Sequence, residues 1–186
     1  CATKPRAAKR TDTPRVGYLS ADFGEHATSY LIAEVFEWHA PEFDVHLYSI
    51  GPATPCPMRD RLLRACPHFF DGDGLPNAAV AERIRQDQVD ILIDLKGYTQ
   101  SARPGILALR PAPMQGQWLG YPGTMGAPFI DFLLADAIVI PPGDERHYTE
   151  KIVRLPGCYQ PHDRKRRETV DTPSRHACGL PEEGLV

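Results

Sequence analysis

The sequence predicts an α/β fold built around a mostly parallel sheet with helices on both faces. Short apolar segments typical of strands alternate along the chain with segments whose apolar residues recur at helical spacing. Such alternation requires crossover connections, which make successive strands parallel and place helices against the sheet. The apolar run VDILIDL (89–95) is typical of a central strand buried on both sides. These observations indicate a Rossmann-like sheet.

Seven turn-bounded apolar segments are predicted as strands. In chain order they are RVGYLS (15–20), DVHLYSI (44–50), HFFD (68–71), VDILIDL (89–95), QGQWLG (115–120), FIDFLLAD (129–136) and KIVRLP (151–156). Three helices are predicted between the earlier strands, because apolar residues there share one helix face. The three faces consist of Leu31, Ile32, Val35, Phe36 and His39; of Leu62, Leu63 and Cys66; and of Val80, Ala81 and Ile84.

Length and composition fit one compact domain. The chain has 186 residues, of which 42% are hydrophobic and 24% charged, as is ordinary for a globular protein. A net charge of −3 gives no general attraction to nucleic acid or to an anionic membrane. Since no membrane-spanning run and no secretory signal occurs, we expect a cytoplasmic protein. The five cysteines lack C-x-x-C spacing and are predicted to be free thiols, not a zinc site.

Polar stretches flank the predicted sheet. We expect a linker over residues 1–14, one folded lobe over 15–160, and over 161–186 a second linker followed by the start of a further lobe. The basic run Arg164–Arg167 in the second linker is interpreted as a solvated charge run without a specific partner.

The loop after the first strand holds the first candidate site. Ligands of open parallel sheets bind outside the carboxyl ends of the strands, and SADFGEH places Asp22, Glu25 and His26 there. Neither a dinucleotide fingerprint nor a P-loop pattern occurs. A histidine can accept or donate a proton near neutral pH, and Asp22 could orient it or act as a base. Alternatively, Asp22 and Glu25 help to cap the next helix, whose N-cap is Thr28 or Ser29, and His26 is a surface residue.

Two later loops also follow strands. QWLGYPGTMGAP (117–128) carries three glycines, which let backbone approach a ligand closely, and two prolines, which stiffen the loop. DLKGYTQSAR (94–103) offers the hydroxyls of Tyr98 and Thr99. The structural alternatives are a long connection rich in turn residues and a turn with Ser101 as N-cap.

Three segments closely resemble the catalytic region of the O-GlcNAc transferase family, which includes SPINDLY-type protein O-fucosyltransferases. They are RVGYLSADFGEHATSYL, LKGYTQSARPGILALRPAPMQGQWLGYPGTMGAPFIDFLLAD and YTEKIVRLP. ALRPAP followed by QWLGYPGT is a long and specific signature, and the resemblance runs from about Arg15 to about Tyr159.

The resemblance implies the N-terminal lobe of a two-lobed GT-B glycosyltransferase. Such an enzyme transfers GlcNAc from UDP-GlcNAc to protein Ser or Thr with inversion, without a cofactor or an obligatory metal. The implied partners are the sugar nucleotide, a protein or peptide acceptor, a second catalytic lobe and upstream tetratricopeptide repeats, with no nucleic acid or membrane. Transfer of fucose or glucose to protein, and a non-catalytic interaction module, remain alternatives.

The family motif D-F-G-x-H implies that Asp22 and His26 are the catalytic residues, either of which could receive the proton of the acceptor hydroxyl. Thr28 matches a threonine near the donor. The implied substrate-binding residues further include Leu119, Gly120, Tyr121 and Pro122 in the loop against the donor sugar, Gly123 and Thr124 directly after it, and Tyr98 and Thr99.

The first loop departs from the animal members of the family, which read Asn-His-Pro-Thr-Ser-His where this chain has Glu25, Ala27 and Tyr30 at the first, third and last places. A negative charge at Glu25 is expected to raise the pKa of a neighbouring histidine, so Glu25→Gln should change the NMR titration of His26. These departures leave the donor sugar and the general base open.

Overall fold

The computed structural model describes residues 13–39, 42–166 and 173–184. Its strands are β1 (Arg15–Ser20), β2 (Asp44–Ser49), β3 (His68–Asp71), β4 (Ile91–Asp94), β5 (Met114–Gln117), β6 (Phe132–Ala135) and β7 (Lys151–Arg154). Its α-helices are α1 (Ala27–His39), α2 (Pro57–Ala65), α3 (Asn77–Gln86) and α4 (Pro104–Ala108), and short 3₁₀ helices cover Asp144–His147 and His176–Cys178. The strands form one sheet of order β3-β2-β1-β4-β5-β6-β7, with parallel pairing throughout.

Helices cover both faces of the sheet, as predicted. On one face, α1 and α2 pack against Val16 and Tyr18 of β1. On the other, α3 and α4 pack against Leu19 and Leu92. The two faces separate because successive side chains of a strand point to opposite sides. Burying each such Leu or Val side chain stabilises the fold by about 1.5–3 kcal/mol, so the central strands anchor the lobe.

The order of the strands reverses between β1 and β4. β2 and β3 lie on one side of this pair, whereas β5, β6 and β7 lie on the other. At such a switch point the connections leave in opposite directions, and a crevice forms outside the carboxyl ends of the two strands. The loops that follow β1 and β4 therefore form the walls of the expected binding site.

Several predicted elements differ in detail. The predicted strands 89–95, 115–120 and 129–136 are shorter in the structure, and α4 was not predicted. Leu63 does not belong to the inner face of α2, since 44% of its surface is exposed. Arg59, one turn before Leu62, takes an inner position instead, because its guanidinium is neutralised by Asp71 at 2.6 Å.

Of the predicted linkers, most of residues 1–14 and part of 161–186 lie outside the described residues. The first two residues of the basic run are exposed, as predicted, but the prediction that they have no specific partner is wrong. Arg164 binds Glu34 on α1 at 2.8 Å, and Lys165 binds Glu37 at 2.7 Å. These two ion pairs attach residues 164 and 165 to α1. None of the described helices is both long and apolar enough to cross a membrane.

Candidate active site

The loop between β1 and α1 is held by its own side chains. Ser20 Oγ accepts a hydrogen bond from the Asp22 N–H at 3.0 Å. Ser29 Oγ donates to the Asp22 carbonyl oxygen at 2.6 Å and accepts from the Gly24 N–H at 3.3 Å. Because the backbone of Asp22 is bound on both sides, its carboxylate leaves the end of β1 in a defined direction.

A buried arginine also holds the loop between β1 and α1 in place. The guanidinium of Arg59 donates to the Phe23 carbonyl oxygen at 3.1 Å and lies 4.8 Å from the centroid of the Phe69 ring. Its ion pair with Asp71 ties α2 to the end of β3. Arg59 therefore connects the loop after β1 to two neighbouring elements of the fold.

Asp22 forms an ion pair with Lys96 across the switch point of the sheet. Lys96 Nζ lies 2.6 Å from Asp22 Oδ2, and the two side chains are only 5% and 12% exposed. Asp22 follows β1 and Lys96 follows β4, the two strands between which the order reverses. Lys96 is a site residue that the sequence analysis missed. The sequence does indicate it, because a lysine directly follows a predicted buried strand. At such a position a charge without a partner costs free energy.

His26 lies beside Asp22 at the start of α1. Its Nδ1 is 3.5 Å from Asp22 Oδ2 and 3.2 Å from the Thr28 nitrogen. Because α1 begins at Ala27, His26 occupies the N-cap position, and the prediction of Thr28 or Ser29 as N-cap is wrong.

The two contacts of the His26 Nδ1 atom require different protonation states. Nδ1 accepts the Thr28 N–H only when it carries a lone pair, whereas it can donate to Asp22 only when it carries a proton. In the second state of the neutral ring, Nε2 has the lone pair. With 51% of the side chain exposed, His26 can thus present a proton acceptor to solvent or substrate while Asp22 orients the ring.

Glu25 points to a different part of the structure. Its carboxylate accepts a short hydrogen bond from the Tyr30 hydroxyl and a longer one, 3.4 Å, from the Met58 N–H at the start of α2. These hydrogen bonds, that of Tyr30 first, lower the pKa of Glu25. The two departures from the family loop, Glu25 and Tyr30, therefore contact each other and join α1 to α2.

Asp94, at the end of β4, organises the loop that carries Lys96. Its two carboxylate oxygens accept the N–H groups of Lys96 at 3.1 Å and Gly97 at 2.9 Å. Burial raises the pKa of Asp94 to about 6 despite these hydrogen bonds, because desolvation disfavours the charged form.

The raised pKa of Asp94 predicts a pH-dependent stability. The pKa of Asp94 is about 4 in the unfolded chain and about 6 in the folded protein. Between these two pH values the folded protein binds a proton that the unfolded chain does not hold. The stability that this group contributes is therefore fully present below pH 4 and is lost as the pH rises through 6. We expect the free energy of unfolding of wild type to fall over this window relative to that of Asp94→Asn, as measured by urea denaturation at a series of pH values. Parallel curves would contradict this assignment.

The glycine-rich loop after β5 lies next to the Lys96 loop. Leu119 has a φ of 73°, a left-handed conformation that is strained for a leucine. Gly120 packs directly on the backbone of the preceding loop, since a Cβ atom there would lie 2.1 Å from the Leu95 carbonyl oxygen. The ring of Tyr121 lies 5.9 Å from that of Tyr98. The structure thus brings the three predicted loops together along one edge of the sheet.

We expect Gly120→Ala to destabilise the protein by roughly 1–3 kcal/mol, the usual cost of forcing extra atoms into a packed site. Gly24→Ala is the matched control, because the nearest atom to a Cβ there is Cys56 Sγ at 3.8 Å. It should change stability by less than about 0.5 kcal/mol. Thermal unfolding of both variants measures the difference, and equal effects would show that the contact with Leu95 is unimportant.

Several predicted substrate-binding hydroxyls bond to the loops themselves. Tyr98 Oη donates to the Met125 carbonyl oxygen at 2.8 Å, and Thr99 Oγ1 donates to that of Lys96 at 2.9 Å. Thr124 Oγ1 donates to the buried carboxylate of Glu150 at 2.6 Å. These contacts hold the loops in place, while the binding roles of the three hydroxyls stay predictions.

A cavity of about 340 Å³ opens beside Asp22 and His26. Its lining also includes Pro52, Thr54 and Cys56 from the segment between β2 and α2. Thr28 is buried in the first turn of α1, and its place near the donor stays a prediction. A cavity of this kind is a common form of ligand site.

The chain is similar in sequence to several known proteins. The model of glycosyl transferase family 41 matches residues 2–167. A probable UDP-N-acetylglucosamine-peptide N-acetylglucosaminyltransferase SEC from Arabidopsis thaliana is 39% identical over 178 residues. A UDP-N-acetylglucosamine-peptide N-acetylglucosaminyltransferase from Caenorhabditis elegans is 41% identical over 144 residues. The alignments cover 92% and 76% of this chain but only 18% and 12% of the relatives.

A solved structure supports the same relationship. A mutant of the Thermobaculum terrenum O-GlcNAc transferase superimposes with a TM-score of 0.79 and 32% sequence identity, over 86% of this chain and 31% of that one. The predicted fold, that of the N-terminal lobe of a GT-B glycosyltransferase, is confirmed by this match. The chain spans less than a third of the length of each of the three proteins.

Proposed function

The chain belongs to glycosyl transferase family 41, and on that basis we propose that it forms the N-terminal lobe of a protein O-GlcNAc transferase. The complete enzyme transfers GlcNAc from UDP-GlcNAc to Ser or Thr hydroxyls of proteins, with inversion. This lobe provides the acceptor side of the active site and the loop against the donor sugar. Its partners are a second catalytic lobe and upstream tetratricopeptide repeats of the same polypeptide, in the cytoplasm and without nucleic acid or membrane.

The observation that carries this proposal is the group formed by Asp22, Lys96 and His26 at the switch point of the sheet. A buried ion pair holds Asp22 in position, and the exposed imidazole lies 3.5 Å from the same carboxylate. A proton acceptor oriented by a fixed carboxylate is the arrangement that general-base catalysis requires.

The transfer needs one displacement. The acceptor oxygen forms a bond to the anomeric carbon of the sugar, while the bond from that carbon to the diphosphate oxygen breaks and its electron pair leaves with UDP. The hydroxyl proton passes to Nε2 of His26 when Asp22 holds Nδ1 in its protonated state. No covalent intermediate with the enzyme is required, because inversion results from a single displacement.

The reaction proposed here uses no cofactor and no obligatory metal. The charge that develops on UDP needs fixed cations or N–H donors. The N-terminus of α1, next to His26, contributes a favourable dipole for negative charge. In the proposed enzyme, most diphosphate contacts, including that of a lysine, come from the second lobe.

A screen of sugar nucleotides on the full-length protein tests the proposal. UDP-GlcNAc, UDP-glucose and GDP-fucose are incubated in parallel with protein acceptors, and release of the nucleoside diphosphate is measured. We expect turnover with UDP-GlcNAc. Turnover with only another donor would overturn the choice of sugar while retaining the reaction. Tight protein binding without turnover of any donor would indicate a non-catalytic module.

The contact between Glu25 and Tyr30 is the observation that favours testing other donors. It replaces two residues of the animal loop by a hydrogen-bonded pair, and Glu25 lines the same cavity as Asp22 and His26. A change in the lining of this cavity can alter the choice of sugar, so transfer of fucose or glucose is the second candidate function.

A further inference from the structure

Three potential metal ligands meet at the edge of the sheet opposite the proposed active site. Asp44 and His46 belong to the first half of β2, and His68 begins β3. Asp44 Oδ1 lies 3.2 Å from His46 Nε2 and 3.4 Å from His68 Nε2. All three ligand atoms lie within 4.8 Å of one another. We propose that these side chains form a binding site for a divalent transition metal ion of the zinc class.

The ligand set and its spacing fit such an ion. Two imidazole nitrogens and one carboxylate oxygen are typical ligands of zinc sites that keep one position open. Ligand atoms at about 2.0–2.1 Å from a tetrahedral ion lie about 3.3–3.4 Å apart. The distance of 3.2 Å from Asp44 Oδ1 to His46 Nε2 is close to this spacing, and His68 Nε2, at 3.4 Å from Asp44 Oδ1, is within reach as the third ligand.

His46 carries an unsatisfied nitrogen at this place. Its side chain is only 10% exposed, and Nε2 lies 3.2 Å from Asp44 Oδ1 without the alignment of a hydrogen bond to it or to another described atom. A buried polar atom without a partner is costly and needs an explanation, for which a bound ion is one of the ordinary reasons. A metal ion between these side chains would remove that cost.

The backbone fixes the relative positions of the ligands. His46 and His68 are direct partners in the parallel pairing of β2 and β3. Asp44 and His46, two residues apart on one strand, point to the same face of the sheet. The two imidazole rings are stacked, with centroids 4.4 Å apart. Binding of one ion by both therefore requires the ring of His68 to turn, which its exposure of 54% permits.

Arg15 supports the carboxylate. Its Nε lies 3.0 Å from Asp44 Oδ2, so Oδ1 remains directed at the histidines. Hydrogen bonds of this kind from outside the metal site orient the ligands and raise their affinity. The cysteine spacing predicted no zinc site. It carries no information about histidines that come from two separate strands. The proposed ion binds away from Asp22 and takes no part in the sugar transfer.

The test uses cobalt as a spectroscopic substitute for zinc in the full-length protein after removal of bound metals. Co²⁺ is titrated while the visible absorption spectrum is recorded, and zinc is then added in competition. We expect one saturable Co²⁺ site with the intense bands of a tetrahedral nitrogen and oxygen environment, displaced by zinc. His68→Gln and Asp44→Asn should each weaken binding at least tenfold, the lower limit for losing even an outer contact of a metal site.

His147→Gln is the matched control, because this histidine is exposed in the 3₁₀ helix Asp144–His147, far along the chain from β2. It should leave the spectrum and the affinity unchanged. His68→Gln alters an exposed residue, so its fold should be retained. Unchanged binding in both ligand variants, thiolate charge-transfer bands from a cysteine site, or no saturable binding would each overturn the proposal.

Discussion

Replacing His26 by alanine in the full-length enzyme is expected to lower turnover by about 10²–10⁴-fold, the usual contribution of a general base. The side chain is half exposed and lies at the end of a loop, so its removal should leave the fold intact. The variant loses the group that receives the hydroxyl proton, but the surfaces that bind donor and acceptor remain. The fall should therefore occur in kcat more than in KM.

Asp22→Asn tests whether turnover needs the carboxylate beside His26. Asparagine lacks the charged oxygen that keeps a proton on Nδ1 of His26. Turnover should therefore again fall by at least about tenfold. Near-normal rates in both variants would contradict the catalytic assignment.

A matched control lies in the same loop. Gly24→Ala adds one methyl group where the nearest atom, Cys56 Sγ, is 3.8 Å away. It should retain most of the activity and stability. If this change were as damaging as His26→Ala, the effect of the latter would reflect disturbance of the loop rather than loss of a proton acceptor.

The sequence predicts the part of the site whose residues lie close together in the chain. Asp22 and His26 lie four residues apart in one loop, and a strand followed by a helix determines where that loop sits. Lys96 is 74 residues from Asp22 in the sequence. Their contact depends on β1 and β4 being neighbours, which follows from the strand order of the whole sheet. No periodicity in the sequence specifies that order.

The incorrect predictions have related causes. Leu63 fits an apolar helix face by spacing, but Arg59 is buried because Asp71 on β3 neutralises it. Thr28 is a common N-cap residue, yet His26 takes that position because the loop is held by Ser29. In the first case a partner on another strand overrides the local preference, and in the second the hydrogen bonds of the loop itself do so.

Lys96→Met is expected to destabilise the protein by about 3–5 kcal/mol, because breaking a buried ion pair leaves the remaining charge without compensation. Methionine retains most of the length of the lysine side chain, so the loss is mainly that of the ammonium group beside Asp22. Turnover should also fall, since the carboxylate would no longer be held towards His26. Urea denaturation and donor turnover measure the two effects. Lys151→Met, at an exposed position of β7, is the control and should change neither.

The double variant Asp22→Asn with Lys96→Met separates structure from catalysis. When both charges are removed, no unpaired charge remains buried, and stability should recover most of the loss caused by Lys96→Met alone. Activity should not recover, because neither the carboxylate nor its cation is present. Recovery of both would show that Lys96 serves only to neutralise Asp22 and that Asp22 has no part in the reaction. Recovery of stability alone would show that the buried pair is needed for the reaction and not merely for the fold.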